Sequence, residues 1–330
     1  MAITTRISDR IFSIANASDF NILAIELFHL HFSSNPIYRS FCRHLHIKPS
    51  AVKHYTEIPF LPVEFFKTHR ILPENLVSNL AFSSSGTTST QTSYHHIVDI
   101  EVYIQSFTRA FKLFYGSPTD YCILALLPSY LERSGSSLVF MVEHLMAAGK
   151  HPDSGFYLHD REALAQQLQK MKAKKQKTLL IGVSYALLDM AKEFPMSFPE
   201  LIVMETGGMK GQRKELIKNE LHQILQNGFD VEAIHSEYGM TELLSQAYSS
   251  GFGRFYCPPW MKILIRDTND PLSLVIEGKS GGINIIDLAN LNSCPFIAVQ
   301  DLGKLHSDGS FEVLGRFDNS QVRGCNLLIQ

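Results

Sequence analysis

Cysteine is scarce in this chain: five in 330 residues, at positions 42, 122, 257, 294 and 325. No two of them form a C-x-x-C pair, so a disulfide framework, a zinc ribbon and a thioredoxin-like motif are all unsupported. An odd number of thiols suits a reducing compartment. Charge of one sign is missing too, since Lys+Arg 30 against Asp+Glu 32 leaves a formal net charge of -2. That balance lacks the positive field of a dedicated nucleic-acid or anionic-membrane binder. Apolar runs such as Cys122–Leu127 fall far short of the ~20 residues that a membrane span requires. The first twenty residues are polar and mixed, without a secretory apolar region. The expectation is a cytoplasmic protein with no membrane span and no nucleic-acid partner. There is no internal repeat or low-complexity segment, and the basic run Lys172–Lys177 reads as a solvated helix end.

What is present is apolar material: 45% of residues are hydrophobic and 19% charged, enough for a continuous core. Residues 15–34 place Phe20, Ile22, Leu23, Ile25, Leu27, Phe28 and Leu30 in an amphipathic helical pattern with Ser18-Asp19 as a start signal. A second short helix is predicted over Ile37–Ile47. Ile58–Ile71, with two prolines and dense aromatics, reads as an extended segment leading into a helical turn. Beyond Asn79 buried strands are predicted at Tyr121–Leu127, Thr178–Val183, Leu201–Glu205 and Val231–Ser236. Helices over Ile100–Tyr115, Ser136–Ala148, Arg161–Lys174 and Lys210–Gln226 separate them. Such alternation predicts a mostly parallel α/β sheet. After Pro258 the pattern becomes short strands, beginning with a hairpin around Asn269-Asp270-Pro271. The expected organisation is a helical cap over residues 1–75, an α/β core binding nucleotide and acyl group over 76–255, and a β-rich subdomain over 256–330.

The strongest local feature is FSSSGTTSTQTSYHH, Phe82 to His96, a hydroxyl-rich turn around one glycine directly after an apolar run. Gly86 permits backbone angles closed to other residues, and Ser and Thr supply small donors, so such a loop can surround a phosphate. It is not a Walker A loop, because the G-K-[ST] ending is absent. Taken alone, a plain polar loop explains it equally well. Three later segments bear on that choice. HSEYGMTE (His235–Glu242) follows a predicted buried strand, VQDLGKL (Val299–Leu305) places an aspartate beside a turn glycine, and GRFDNSQVRG (Gly315–Gly324) follows the last strand.

This set, in this order, resembles the ATP-grasping motifs of the adenylate-forming superfamily. The closer resemblance is to LuxE-like acyl-protein synthetases, the fatty-acid-activating component of bacterial luciferase fatty-acid reductase systems; phenylacetate–CoA ligases are similar more distantly. IPFLPVEFFKTH, SSSGTTST, Glu132–Leu138, ETGGMKG, EYGMTE and VRGCNL carry it, so it spans about Ile58 to the C-terminus. It implies the α/β fold of the adenylate-forming large domain, ATP and Mg²⁺ as cofactors, and a reaction in two steps. A carboxylate attacks the α-phosphate of ATP, and the acyl group then passes to a thiol. By the same resemblance the substrate is a long-chain fatty acid, and the partner is an acyl reductase or an acyl-transferring protein.

The resemblance assigns residues. Ser83, Ser84, Ser85, Gly86, Thr87 and Thr88 would hold the β- and γ-phosphates. Ser89 stands where such loops commonly carry a second glycine, and no lysine follows nearby, so Mg²⁺ and another cation must neutralise the phosphates. Glu242 is the Mg²⁺ candidate, since that ion takes one or two carboxylates and completes its shell with phosphate and water; the plain alternative is a helix-start carboxylate. Thr241 would donate to the α-phosphate and Tyr238, beside Gly239, would stack on adenine. Gly207 and Gly208 would let the backbone approach adenine, or simply serve a strand-to-helix turn. Lys210 is either a phosphate cation or a solvent-facing lysine. Asp301 would accept from the ribose hydroxyls, or be an ordinary turn aspartate. Arg316 matches the family's hinge arginine, from which it could also reach the ribose or a phosphate. Only a short tail follows it, so the mobile lid of larger relatives is expected to be absent. Cys325, two positions from Arg323, is the expected acyl acceptor, its thiolate favoured by a nearby guanidinium; a small packing residue is the alternative. The other four cysteines read as structural, and His144 and His235 as packing histidines.

Overall fold

Local chemistry sets the ends of the first long helix. In the computed structural model, which describes residues 2–84, 92–128, 135–207 and 217–317, the Asn16 side chain accepts from the backbone N–H of Asp19. Asp19 returns the contact by accepting from the N–H of Ala15 at 3.2 Å. Asn16 is thus the N-cap, and Asp19 closes the cap from inside the first turn. The sequence signal at Ser18-Asp19 lies one turn too far along.

In chain order the first stretch contributes α1 (Ala2–Ile11), α2 (Ala17–Ser34), α3 (Pro36–His44), β1 (Leu61–Pro62) and α4 (Phe65–Thr68). Then come β2 (Leu80–Ser83), β3 (Tyr94–Ile97), α5 (Ile100–Tyr115), β4 (Cys122–Leu126) and α6 (Ser137–Gly149). They are followed by β5 (Gly155–Phe156), α7 (Arg161–Ala173), β6 (Thr178–Val183), α8 (Ser184–Glu193) and β7 (Ile202–Thr206). Next are α9 (Lys218–Phe229), β8 (Ile234–Tyr238) and β9 (Ala247–Ser249). The chain closes with β10 (Met261–Arg266), β11 (Ser280–Asp287), β12 (Phe296–Leu305) and β13 (Phe311–Arg316). Two compact units result. One is residues 78–258; the other joins residues 1–77 to 259–330.

The continuous unit is built on a six-stranded sheet of order β5-β4-β6-β7-β8-β9, parallel except for the antiparallel edge strand β9. Strands β4 and β6 are buried along their whole length, which explains their unbroken apolar runs. Helix α5 turns Val102, Tyr103, Phe107, Ala110 and Phe111 inward at helical spacing. Its Asp99 cap and Gly116 end explain why the sequence outlines it so well. A separate two-stranded hairpin, β2–β3, carries the hydroxyl-rich loop.

In the discontinuous unit β10, β11 and β12 form an antiparallel core. The far edge of β12 is shared by β13, antiparallel, and by β1, parallel, with Leu61 opposite Ile297. The expected hairpin around residues 269–271 is corrected here. The partner of β10 is β11, and the alternating run after Pro271 forms no strand, touching β10 only through an isolated Arg266–Leu274 bridge. Leu272 and Ile276 are each 70% exposed, so the alternation has no face to bury.

Candidate functional site

In a parallel sheet, ligands meet the loops beyond the carboxyl ends of the strands. Gly207, Gly239, Thr241 and Glu242 follow β7 and β8 there, whereas Ser83 and Ser84 belong to the separate β2–β3 hairpin. The root of the hydroxyl-rich loop is closed by two hydrogen bonds. Ser84 N–H donates to the Ser93 carbonyl, and Ser93 N–H donates to Ser84 Oγ, each at 3.0 Å. Ser83, at the end of β2, donates its N–H to Gly135 O at 2.8 Å. Gly135 has φ +89, and a Cβ there would stand 3.2 Å from Ser83 Oγ, so glycine is needed both for conformation and for room. The root of the hydroxyl-rich loop therefore abuts the start of α6. Ser85, Gly86, Thr87 and Thr88 lie outside the described residues, as do Gly208, Lys210 and Cys325.

Glu242 is 6% exposed and accepts a short 2.5 Å hydrogen bond from Ser93 Oγ, across 149 positions of sequence. One residue earlier, the Thr241 carbonyl accepts from His95 Nδ1 at 2.9 Å. Burial holds His95 neutral, its pKa lowered to about 4. Ser93, immediately before β3, and His95 within it, two residues apart and so on one face, thus clasp the Thr-Glu pair. Neither had a role in the sequence reading, although both lie inside the quoted loop segment; their partners are too remote in sequence for spacing to betray them.

Tyr238 ends β8, and Gly239 follows with so little space that a Cβ would meet Glu237 Oε1 at 2.3 Å. The Tyr238 ring packs edge-on against Phe255 at 5.9 Å. Gly207 adopts φ +66 and its carbonyl accepts from Ser184 Oγ at 2.7 Å. Beneath it Glu205, 6% exposed, meets Lys218 Nζ at 3.2 Å and His222 Nε2 at 3.6 Å. Burial acts to raise that carboxyl, but the neighbouring His222, the Lys218 charge and Ser236 outweigh it and hold the group below the usual carboxylate range. Lys218 Nζ also sits 4.3 Å from the Phe255 ring centroid. The two positions expected to face adenine, Gly207 and Tyr238, are therefore linked through Glu205, Lys218 and Phe255. Lys218 was missed because it lies outside the ETGGMKG segment.

In the discontinuous unit Asp301 and Arg316 are register partners on β12 and β13, and Arg316 Nε donates to Asp301 Oδ1 at 3.1 Å. The Asp301 side chain is 10% exposed against 74% for Arg316. The two predicted ribose contacts are thus a pair with a mostly exposed guanidinium.

Among the described residues no group of three His, Cys, Asp or Glu is arranged as a metal cage. A lone buried carboxylate such as Glu242 still fits Mg²⁺, which binds through one or two carboxylates together with phosphate and water. His235 donates to or accepts from Tyr115 Oη at 3.1 Å and is pushed down to about 4 by burial. His144 stacks on Phe140. Burial raises the thiols of Cys42 and Cys294 to about 12 and that of Cys122 to about 11, far from thiolate at neutral pH. No helix among the described residues is long and apolar enough to cross a membrane.

A family model described as acyl-protein synthetase, LuxE, matches residues 13–330. No curated protein matches the sequence. Among solved structures, an open conformation of 2-hydroxyisobutyryl-CoA ligase with 2-HIB-AMP and CoA is similar at TM-score 0.68 and 13% identity, over 92% of this chain and 75% of that one. ATP-bound MatB from Rhodopseudomonas palustris is similar at TM-score 0.54 and 14% identity, over 72% and 47%. The luciferase-like enzyme from the nonluminescent Zophobas morio mealworm gives 0.51 and 14%, over 83% and 62%. This chain thus spans about half the length of MatB. At these identities the likeness is one of fold, and the fold is that of adenylate-forming ligases.

Proposed function

Because the chain belongs to the LuxE acyl-protein synthetase family, we propose that it adenylates a long-chain fatty acid and transfers the acyl group to its own Cys325. The observation that carries this reading is the clasp of Ser93 and His95 on Thr241-Glu242. It fixes a hydroxyl-rich loop root against a buried carboxylate at the carboxyl ends of parallel strands, where phosphate must be held and turned.

In the first step a carboxylate oxygen of the acid bonds to the α-phosphorus of ATP and the bond to the β-phosphate oxygen breaks, so pyrophosphate leaves and acyl-AMP remains. Ser83 and Ser84, with the loop they anchor, would donate to the β- and γ-phosphates, and Thr241 to the α-phosphate. Glu242 would hold Mg²⁺, which neutralises phosphate charge when bound. Tyr238 and the backbone at Gly207 would face adenine, and Asp301 and Arg316 would serve the ribose. In the second step the Cys325 thiolate attacks the acyl carbonyl and AMP leaves, giving a thioester that stays activated for a reductase or acyl-transferring partner. Cys42, Cys122 and Cys294 are unsuited to that role, being buried with raised pKa values. Free thiols also suit a cytoplasmic setting.

Likeness to CoA ligases favours a second reading, in which the acceptor is CoA or a carrier-protein thiol. Intact-protein mass after incubation with Mg-ATP and fatty acids separates the two. A hydroxylamine-labile acyl adduct on the wild type, absent in Cys325→Ser, is expected. Pyrophosphate release without an adduct would move the acceptor off this chain, and neither product with any acid would sink the adenylation reading.

A further inference from the structure

One face of the six-stranded sheet, the side that carries Phe111 of α5 and Met141 of α6, changes character along the strands. The register pairs Val183 with Thr206, Ile181 with Met204 and Leu179 with Ile202, three successive rows on that face. The row at the carboxyl end holds Thr206, only 2% exposed, whose Oγ1 has no hydrogen-bond partner among the described residues. It directly precedes Gly207. A buried hydroxyl without a partner is costly, and a carboxylate oxygen is a group that would satisfy it.

Further along, the face encloses an apolar gap of about 10 Å³ whose walls include Ile123, Ile181, Met204, Met141 and Tyr248. That is about the room of one water molecule. Two of its walls are methionines, whose unbranched side chains move aside more readily than any other apolar type. At the amino ends of the strands a cavity of about 310 Å³ opens, lined by Tyr115, Tyr121, Lys177, His235, Tyr256 and again Tyr248. Its size is that of a small-molecule pocket. Tyr248 is the residue common to both spaces. It is 2% exposed, and among the described residues its hydroxyl is hydrogen-bonded to the sulfur of Met141, at 3.9 Å, a weak acceptor.

We propose that the hydrocarbon tail of the acid lies along this face, entering past Thr206 and parting the methionines, and that Tyr248 sets the longest tail that fits. This rests on the substrate being an acyl chain. Such a tail runs beside the five residues of β7, about 16 Å, so short acids leave the gap unfilled and only long ones press on Tyr248. The aromatic cavity beyond receives the end of a tail once that ring is cut back.

The test is displacement of a dansyl-labelled fatty acid by a homologous series of saturated acids, without ATP, on wild type, Tyr248→Ala and Met141→Trp. Tyr248→Ala is expected to move the preferred length upward and Met141→Trp downward. Each methylene that a variant excludes should weaken binding by about fourfold. Thermal melts establish that each variant is folded, and Met141→Trp carries the test by itself where Tyr248→Ala does not fold. An unchanged length profile in a folded variant, or no displacement by any acid, overturns the proposal. Pyrophosphate exchange measured in parallel keeps the two readings apart. Acids that bind with shifted profiles but support no exchange sink adenylation and leave the channel; exchange with unshifted profiles does the reverse.

Discussion

A carboxylate taken out of water keeps its charge only where donors meet it, and for Glu242 the Ser93 hydroxyl is such a donor. Charge-assisted hydrogen bonds of this type are worth about 1.5–3 kcal/mol. Ser93→Ala should therefore lower kcat/KM for ATP in pyrophosphate exchange by about tenfold or more, and Ser93→Thr should restore much of it. Equal exchange rates for wild type and Ser93→Ala would mean that the hydroxyl does not position the carboxylate. At this scale the sequence was legible where a motif is contiguous. Tyr238, Gly239, Thr241 and Glu242 sit together at the end of β8 as their spacing implied. It was illegible where one residue serves another across the fold. Ser93 and His95 read as ordinary loop polars, because nothing in a run of hydroxyls marks which one faces a residue 149 positions away.

Elements with a clear apolar signal were readable from sequence: α5, from its one apolar face and its cap, and β6, from its unbroken apolar run, begin and end where the pattern placed them, at Ile100–Tyr115 and Thr178–Val183. The β2–β3 hairpin was not, since Tyr94, His95 and His96 alternate no apolar side. Neither was the contact between α8 and α9, which depends on a residue without a side chain. A Cβ on Gly228 would stand 2.6 Å from the Cβ of Ala191 and 3.1 Å from its carbonyl oxygen. Alanine is favoured over glycine inside a helix by about 1 kcal/mol, so propensity alone predicts that Gly228→Ala stabilises. The clash reverses the sign: overpacking of this kind costs about 1–3 kcal/mol. Denaturant melts should show Gly228→Ala less stable than wild type, and Ala191→Gly added to it should recover part of the loss. A stabilised single variant would show that the two helices slide apart without cost.

On the scale of the molecule, His31, His95 and His235 are held neutral by burial, each with its pKa lowered from 6.5 to about 4. In the unfolded chain they take up protons below about pH 6.5. The unfolded state then binds more protons than the native one, so stability falls as pH is lowered. Thermal or urea melts should be level in their histidine contribution above pH ~6.5 and lose stability steadily from there towards pH ~4. Replacing His235 with Gln should make that fall shallower. A flat profile across the window would show that these rings are accessible to protons in the native state.

The joining of residues 1–77 to 259–330 in one unit has a consequence in time. Strand β1 pairs with β12, Leu61 against Ile297, and its partner is synthesised roughly 240 residues later, about 10–50 s at ribosomal speed. Throughout that interval α2 must wait with Phe20, Leu23, Leu27 and Phe28 lacking the strands that complete their unit, while residues 78–258 emerge entire and contiguous. Residues 1–77 are thus among the last parts to reach their final surroundings. During translation that early segment, with its apolar helix faces uncovered, gives a chaperone a long interval in which to act.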